Sequence, residues 1–454
     1  MRTRAARRVA ARYTWDRLKV SFWFTPAVMA LVAVLLAWAM YWVDSLIPNE
    51  LLANSRFVLS GTPGEMRSIL ISMAATILTT AGVVFTLLTL PLSTVAAQYG
   101  SRLLRVFLGD RTTQIVLGMF TGTFVYCLAA ALSIPPPTVE PEGPQVTATV
   151  GLLLMLVTFA SLIALVQHIS TMLQAPNIAA AAGAKLMEVV LSEIPDDRSS
   201  GENSPLETPN NPATKIIGME TDGYAVRVRR TGYIQYVDPE TMLTLAREKD
   251  LVIRLQHKPG DFVWPGAMVA QVWPADRVNA QLDEQIQMAF RLGNTRTPTQ
   301  DIEYAFNQLV EMAVRAMSPA INDPFTAMTC LDYIAEGLAL FIRQGEKGAY
   351  YYDLDGRLLL VFEPVTFEEL LSGAFDMLRH AGRDNASVLL QMLHVIGVIG
   401  QEAKLPEARQ HLARHVGLIQ AESQVGELIQ QDRQLIQQSC DALTMKLLGA
   451  GDRD

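Results

Sequence analysis

One stretch of the chain, between Arg67 and Arg102, contains no charged residue and is mostly apolar. About 20 helical residues, at roughly 1.5 Å each, cross the ~30 Å hydrocarbon core of a bilayer. This stretch therefore predicts a membrane-spanning helix, which we place at residues 69–95. Pro91 lacks a backbone N–H, so we expect a kink or an end of the helix near it.

Three further runs have the length and composition of membrane spans, at residues 22–43, 114–134 and 150–173. Hydrophobic residues make up 50% of the whole chain and charged residues 18%, a balance that suits a membrane protein with a soluble part. Gly118 and Gly122 in the third span predict close packing of helices. Residues 22–194 are therefore predicted to form a multi-pass α-helical membrane bundle of four spans.

The charges of the connecting segments predict the orientation of this bundle. Residues 1–21 are strongly basic, and the connection after the second span contains Arg102, Arg105 and Arg111. By contrast, residues 135–149 contain two glutamates and no Lys or Arg. Since cytoplasmic loops carry the excess of basic residues, both termini are predicted to be cytoplasmic. A cleaved secretory signal is disfavoured because the first run is span-length and three more follow.

The second span is rich in hydroxyl groups that share one face of the helix. They recur at steps of three, four or seven residues, as Ser72, Thr76, Thr79, Thr86 and Ser93. One interpretation is that this face lines an aqueous path through which ions pass. The other is that the hydroxyls bond to their own i−4 carbonyls or to neighbouring helices. Likewise, Arg102, Arg105 and Arg111 lie either at the inner mouth of such a path or against lipid phosphates.

The rest of the chain reads as a cytoplasmic α+β domain. Residues 195–214 form a polar linker, 215–275 a small β-rich module and 276–454 a mainly helical part. The expected elements are strands at 225–229, 233–237, 251–256 and 262–272, helices at 239–249, 301–317 and 324–343, a hairpin over 350–362, a capping box at Thr366–Glu369 and two or three helices over 387–448. The segment 259–272 resembles the strand–turn–strand of biotinyl and lipoyl modules in shape only, because their modifiable lysine is absent.

The segment from Met317 to Ala327, MSPAINDPFTA, is the most distinctive soluble stretch. Asp323 is predicted to cap a helix that starts with Pro324 at its first position. Either the segment is simply a capped turn between two helices, or Ser318, Asn322 and Asp323 present polar groups to a ligand or a partner subunit.

Charge and motifs disfavour several functional classes. Residues 1–194 have a net charge of +4, which leaves −12 to residues 195–454 and disfavours nucleic acid as a partner. No nucleophile–base pair or phosphate-binding motif is present, so we expect no enzyme and no cofactor. Glu407, His411 and His415 recur every four residues, but this reads as a solvated helix face, and no metal site is expected.

Several of these motifs together identify a family resemblance. They are SFWFTP at 21–26, QYGSRLLRVFLGDR at 98–111, TGYIQYVD with PGDFV, and SPAINDPFTA. The chain resembles bacterial predicted membrane proteins that carry a domain of unknown function, the DUF2254-type family. The resemblance covers nearly the whole chain. It implies a half with four spans in the bacterial plasma (inner) membrane and a second half in the cytoplasm. It implies no activity.

Two functions remain open from the sequence. The first is a homo-oligomeric channel for ions or small solutes, because four spans in one chain rarely enclose a pore alone. The second is a membrane-anchored sensor or scaffold whose acidic half binds an unidentified small ion or protein. No Asp, Glu, Lys or Arg lies inside the four predicted spans, which weakens a proton-coupled transporter.

Overall fold

The computed structural model describes residues 23–46, 58–98, 110–134, 144–192, 223–346, 349–353 and 355–449, with the backbone alone for 90–92 and 94–98. The predicted basic N-terminus, the linker at 195–214, and Arg102 and Arg105 lie outside the described residues. The chain divides into two compact units, residues 1–178 and 179–454.

The first unit contains four long helices that correspond to the four predicted spans. They are α1 (Phe24–Leu46), α2 (Pro63–Gln98), α3 (Arg111–Ser133) and α4 (Gln145–Met172). Helix α2 has 36 residues and continues through Pro91, so the chain does not leave the helix at this proline. A proline removes one backbone hydrogen bond, and a long apolar helix tolerates that loss.

Small residues and two carboxylates hold the four helices together. A Cβ atom added at Gly122 of α3 would lie 3.4 Å from the backbone oxygen of Met29, so this glycine permits close approach of α1. In the last turn of α1, the Asp44 carboxylate accepts hydrogen bonds of 2.8 Å from the N–H groups of Val146 and Thr147 at the start of α4. Asp110 caps α3 and lies 3.0 Å from the His168 ring of α4.

Many large apolar side chains of these four helices are exposed, among them Leu31, Phe85, Leu132 and Ile163. Such a surface suits hydrocarbon and is unfavourable in water. By length and composition, five helices among the described residues could cross a membrane, one more than predicted. The fifth, α9 (Pro324–Gln344), belongs to the second unit, where Cys330, Leu331 and Ile334 are fully buried.

The second unit begins within α5 (Ala175–Ser192) and continues into two antiparallel-rich sheets. The strands are β1 (Tyr224–Arg227), β2 (Gly232–Val237), β3 (Val252–Leu255), β4 (Phe262–Val263), β5 (Met268–Trp273), β6 (Phe290–Gly293), β7 (Tyr350–Tyr352) and β8 (Leu358–Val361). One sheet has the order β1-β5-β3-β8-β7, and the other has the order β4-β2-β6. The predicted single strand 262–272 is divided, since β4 and β5 pair in different sheets.

Helices α6 (Pro239–Lys249) and α7 (Ala280–Ala289) cover the strands, and their apolar side chains share one core with them. The other helices of this unit are α8 (Ile302–Ala316), α10 (Phe367–Ala381), α11 (Ala386–Glu402), α12 (Pro406–Val425) and α13 (Gln430–Leu448). The predicted cap at Asp323 and the predicted capping box at Thr366 are confirmed, and Asp238 caps α6 in the same way. In each cap, the side chain accepts a hydrogen bond from a backbone N–H only three residues later in the chain.

Strand β3 pairs in parallel with β8, with Ile253 opposite Leu360. The five-stranded sheet therefore takes strands from both sides of the predicted boundary at residue 275. This pairing brings the turn after β3 near the hairpin β7–β8, and a cavity lies in that region.

Candidate functional site

The hydroxyl face of α2 points away from the other helices of its unit. Ser72, Thr76, Thr79, Thr86 and Ser93 are all exposed, whereas Ile77, Val84 and Leu88 on the opposite face are buried in the bundle. The threonine hydroxyls donate to carbonyls four residues earlier, at 2.8 Å for Thr76, 2.9 Å for Thr79 and 3.1 Å for Thr86. Within one chain these groups therefore line no interior path, and their role as pore-facing residues stays a prediction.

The interior of the bundle is packed, and its central hydroxyls are paired. Thr123 of α3 and Thr158 of α4 are buried and bond to each other at 2.7 Å. On both sides of this pair lie clusters of buried apolar side chains, centred on Met66, Leu70 and Tyr126 and on Val84, Phe120 and Leu165. A polar path for solutes would therefore need surfaces of more than one chain.

The exposed face of α2 has a second regularity, which the sequence interpretation missed. Eight small residues follow one another at alternating steps of four and three, and all are exposed. They are Ser68, Ser72, Ala75, Thr79, Gly82, Thr86, Thr89 and Ser93. A repeat of 3.5 residues is the spacing at which two helices stay in contact in a left-handed pair. We name this row of eight residues the small-residue seam. A search of the sequence for a 3.5-residue period, in addition to hydroxyl content, would have identified it.

The turn at Ser318, Asn322 and Asp323 is closed by its own hydrogen bonds. The Asp323 carboxylate accepts from the backbone N–H of Thr326 at 3.1 Å, and the Asp323 N–H donates to the Ala316 carbonyl at 2.8 Å. Asn322 has a left-handed backbone with φ 50°, and its N–H donates to the Ser318 carbonyl. A ligand role for these residues stays a prediction. The neighbouring Phe325 side chain is 75% exposed.

The other side chains singled out in the sequence, where the structure describes them, do not come together in one site. Arg111 is the exposed first residue of α3. His411 lies 3.6 Å from the Glu368 carboxylate, whereas the buried His415 faces Ser372 and Phe375. Burial lowers the pKa of His415 to about 4, and the neighbouring Arg414 and Arg379 act in the same direction. Among the described residues, no three His, Cys, Asp or Glu side chains form a cluster that could hold a metal ion.

A cavity of about 490 Å³ lies wholly within the second unit, and its size suits a small-molecule ligand. The turn after β3, the start of α8, the end of α9, the hairpin β7–β8 and the approach to α10 form its walls. Its apolar walls include Leu255, Ile302, Phe341, Leu360 and Phe362, and its carboxylates are Asp261, Asp301, Glu346, Glu363 and Glu369.

Lys258 connects three elements at the edge of this cavity. Its Nζ lies 2.7 Å from Glu303 of α8 and 3.3 Å from Glu369 of α10. Partial burial disfavours the charged ammonium, but the bonds to Glu303 and Glu369 outweigh it and raise the pKa of Lys258. The ammonium group is therefore held as a cation between two carboxylates.

Beside Lys258, a second ion pair joins Arg296 to Asp301. Arg296 donates through Nε and Nη2 to the two oxygens of the buried Asp301, at 2.6 and 2.7 Å. Asp301 also caps α8 by accepting from the Tyr304 N–H. Burial raises the pKa of Asp301 despite the charge of Arg296. A Cβ atom at Gly260, whose φ is 102°, would come within 2.5 Å of Asp301, so the turn after β3 needs this glycine.

Comparison with known proteins gives a family and relatives. The family model described as predicted membrane protein (DUF2254) matches residues 19–397. An uncharacterized protein of Mycobacterium tuberculosis and one of Mycobacterium bovis are each 26% identical over 389 residues, which cover 84% of this chain and 72% of the relative. No solved structure matches the chain.

Proposed function

The chain belongs to the DUF2254 family of predicted membrane proteins, and we propose that it forms a homo-oligomeric conduit for ions or small solutes. In this proposal the four helices of the first unit span a bacterial plasma membrane. Both termini and the second unit are cytoplasmic, α9 is a core helix of that unit, and the second unit regulates the conduit without catalysing a reaction.

The exposed small-residue seam of α2 carries the proposal. Its residues are not needed for packing inside one chain, because Ile77, Val84 and Leu88 make the contacts on the opposite face. Small side chains allow the backbones of neighbouring helices to approach closely. Copies of α2 around an axis would place hydroxyl groups next to a path, where weak contacts at several sites let an ion enter and leave.

The arginines after α2 fit the same arrangement. With α2 near the axis, Arg102, Arg105 and Arg111 would lie near the cytoplasmic mouth and favour anions there. If α2 instead faces lipid, these side chains would bind lipid phosphates.

Single cysteines along α2 test the proposal. The background has Cys127, Cys330 and Cys440 replaced by alanine, so that only the introduced thiol reacts. In the full chain in membranes, a water-soluble thiol reagent should label cysteines at Ser72, Thr76, Thr79 and Thr86. Cysteines at Ile77, Val84 and Leu88 are the matched controls and should be protected, because the bundle buries these positions. Protection of all seven positions would contradict an aqueous path along this face.

A second candidate function is a membrane anchor with a sensor or scaffold domain. The observation that favours it is that Thr76, Thr79 and Thr86 already donate to their own helix, which lets this face contact lipid without further partners. Protection of the whole helix from the reagent would leave this function as the better supported one.

A further inference from the structure

The cavity of the second unit has chemistry that selects a class of ligand. Among the described residues, its walls contain five carboxylates, those of Asp261, Asp301, Glu346, Glu363 and Glu369, and the basic groups that line it are the ammonium of Lys258 and the imidazole of His257. A phosphate or another anion would meet this excess of negative charge and be repelled. The cavity therefore favours a cation.

Two of the five carboxylates are neutralised by cations of the chain itself. Arg296 pairs with both oxygens of Asp301, and Lys258 pairs with Glu369. Asp261 lies 3.1 Å from the His257 ring and accepts a hydrogen bond from the Lys258 backbone N–H at 3.1 Å. Glu346 accepts a hydrogen bond from the Phe367 N–H at 2.7 Å, which is a neutral donor, and Glu363 is exposed at the wall. Glu346 and Glu363 thus keep negative charge available to a ligand.

The apolar walls distinguish an organic cation from a metal ion. Leu255, Phe341, Leu360 and Phe362 offer a surface that a hydrated metal ion would not use. The described carboxylates also form no cluster of metal-binding geometry. An aromatic or aliphatic body with a positive group would bury apolar area against these walls and place its charge near the carboxylates.

The Lys258 side chain shows how an alkylammonium group binds at this cavity. Its alkyl chain ends in an ammonium group held between Glu303 and Glu369, at 2.7 and 3.3 Å. The edge of the cavity therefore already accommodates an alkylammonium between carboxylates from two different helices.

We propose that this cavity binds a small organic cation, with an ammonium or amidinium group near Glu346 and Glu363 and an apolar body against Phe341 and Phe362. The proposal goes beyond the conduit and does not depend on it. Because the walls come from the turn after β3, α8, α9, the hairpin and α10, an occupied cavity would fix these elements relative to one another.

Calorimetric titration of the purified full chain in detergent tests this proposal with matched probes. The cations are 2-phenylethylamine and benzamidine, and the controls are the neutral 2-phenylethanol and the anion phenylacetate. At least one cation should bind with a Kd at least about tenfold below those of both controls. Equal affinities for all four probes, or no saturable binding of either cation below about 10 mM, would overturn the proposal.

Isosteric variants then assign the site. Glu346→Gln removes the charge and keeps an oxygen that can accept from the Phe367 N–H, and Glu363→Gln changes an exposed side chain. Each should weaken binding of the cation about 2- to 5-fold. The control Glu336→Gln changes an exposed glutamate of α9 that does not line the cavity, and it should bind like the unchanged chain. Thermal unfolding checks that the variants are folded; unchanged cation affinity in a folded Glu346→Gln, Glu363→Gln double variant would overturn the assignment.

Discussion

The exposed face of α2 in the first unit and the second unit satisfy their polar groups in different ways. In the first unit, the threonines of α2 donate to carbonyls four residues earlier, so their bonds stay within one helix. In the second unit, ion pairs join distant parts of the chain, as in Lys258 with Glu369 and Arg379 with Glu422. A helix face without neighbouring helices or water has only its own carbonyls to satisfy its hydroxyl groups, whereas charged side chains on packed elements can pair with one another. Local bonding leaves the surface of α2 available for association, and long-range pairing stabilises the second unit.

The buried pair of Arg379 and Glu422 should give the largest effect on stability. Their side chains are 10% and 11% exposed, so Glu422→Ala leaves a mostly buried guanidinium with only the longer carboxylate contact to Asp376, at 3.4 Å. We expect the free energy of unfolding of the second unit to fall by about 3–5 kcal/mol. The measurement is a denaturant titration of the full chain in detergent, followed with a probe placed in the second unit.

The pair of Arg343 and Glu402 serves as the matched control. Their side chains are 59% and 35% exposed, so Glu402→Ala should cost only about 0–1 kcal/mol. Equal losses for the two variants would show that long-range ion pairs do not stabilise this unit in proportion to their burial.

Two glycines of the first unit test whether its helices have one packed and one free face. Gly122 of α3 lies against α1, and an isoleucine there should overpack the contact and cost about 1–3 kcal/mol. At Gly82 of α2 a Cβ atom would meet nothing within 4 Å in the same chain, so Gly82→Ile should leave the bundle intact. Thermal unfolding of the two variants in detergent compares them. A similar loss for Gly82→Ile under conditions that separate the copies would contradict a free face.

A smaller effect is expected at the turn before α9. Asp323→Ala removes the helix cap and should cost about 0.5–2 kcal/mol, while Asp323→Asn should largely keep the stability because its amide oxygen still accepts from the Thr326 N–H. The free energy of unfolding measures both variants. A folded Asp323→Asn chain that loses function would show that the carboxylate does more than cap the helix.

The features that the sequence predicted correctly are those that depend on neighbouring residues. Long apolar runs predicted the four helices of the first unit, because hydropathy is a local sum. Asp323 and Thr366 were recognised as caps because each acts on a backbone group three residues away. The hydrophobic count could not tell whether a fifth apolar helix, α9, packs in a core or crosses a membrane.

The cavity was beyond such local reasoning. Its walls come from segments between Val237 and Glu369 that tertiary packing brings together, including the parallel pairing of β3 with β8. Nothing near Ile253 indicates that its partner is Leu360, more than one hundred residues later. The direction of the hydroxyl face of α2 was undetermined for the same reason, since the positions that pack against other helices depend on the whole bundle.

Conductance of liposomes that contain the purified full chain tests the central claim most directly. In the background with alanine at the three native cysteines, a charged methanethiosulfonate reagent should block the conductance of the Thr79→Cys variant. It should leave the conductance of Val84→Cys unchanged, because Val84 is buried on the opposite face of α2. The account predicts block at position 79 alone. Liposomes without conductance above the protein-free level, or an equal effect of the reagent at both positions, would contradict a conduit lined by the small-residue seam.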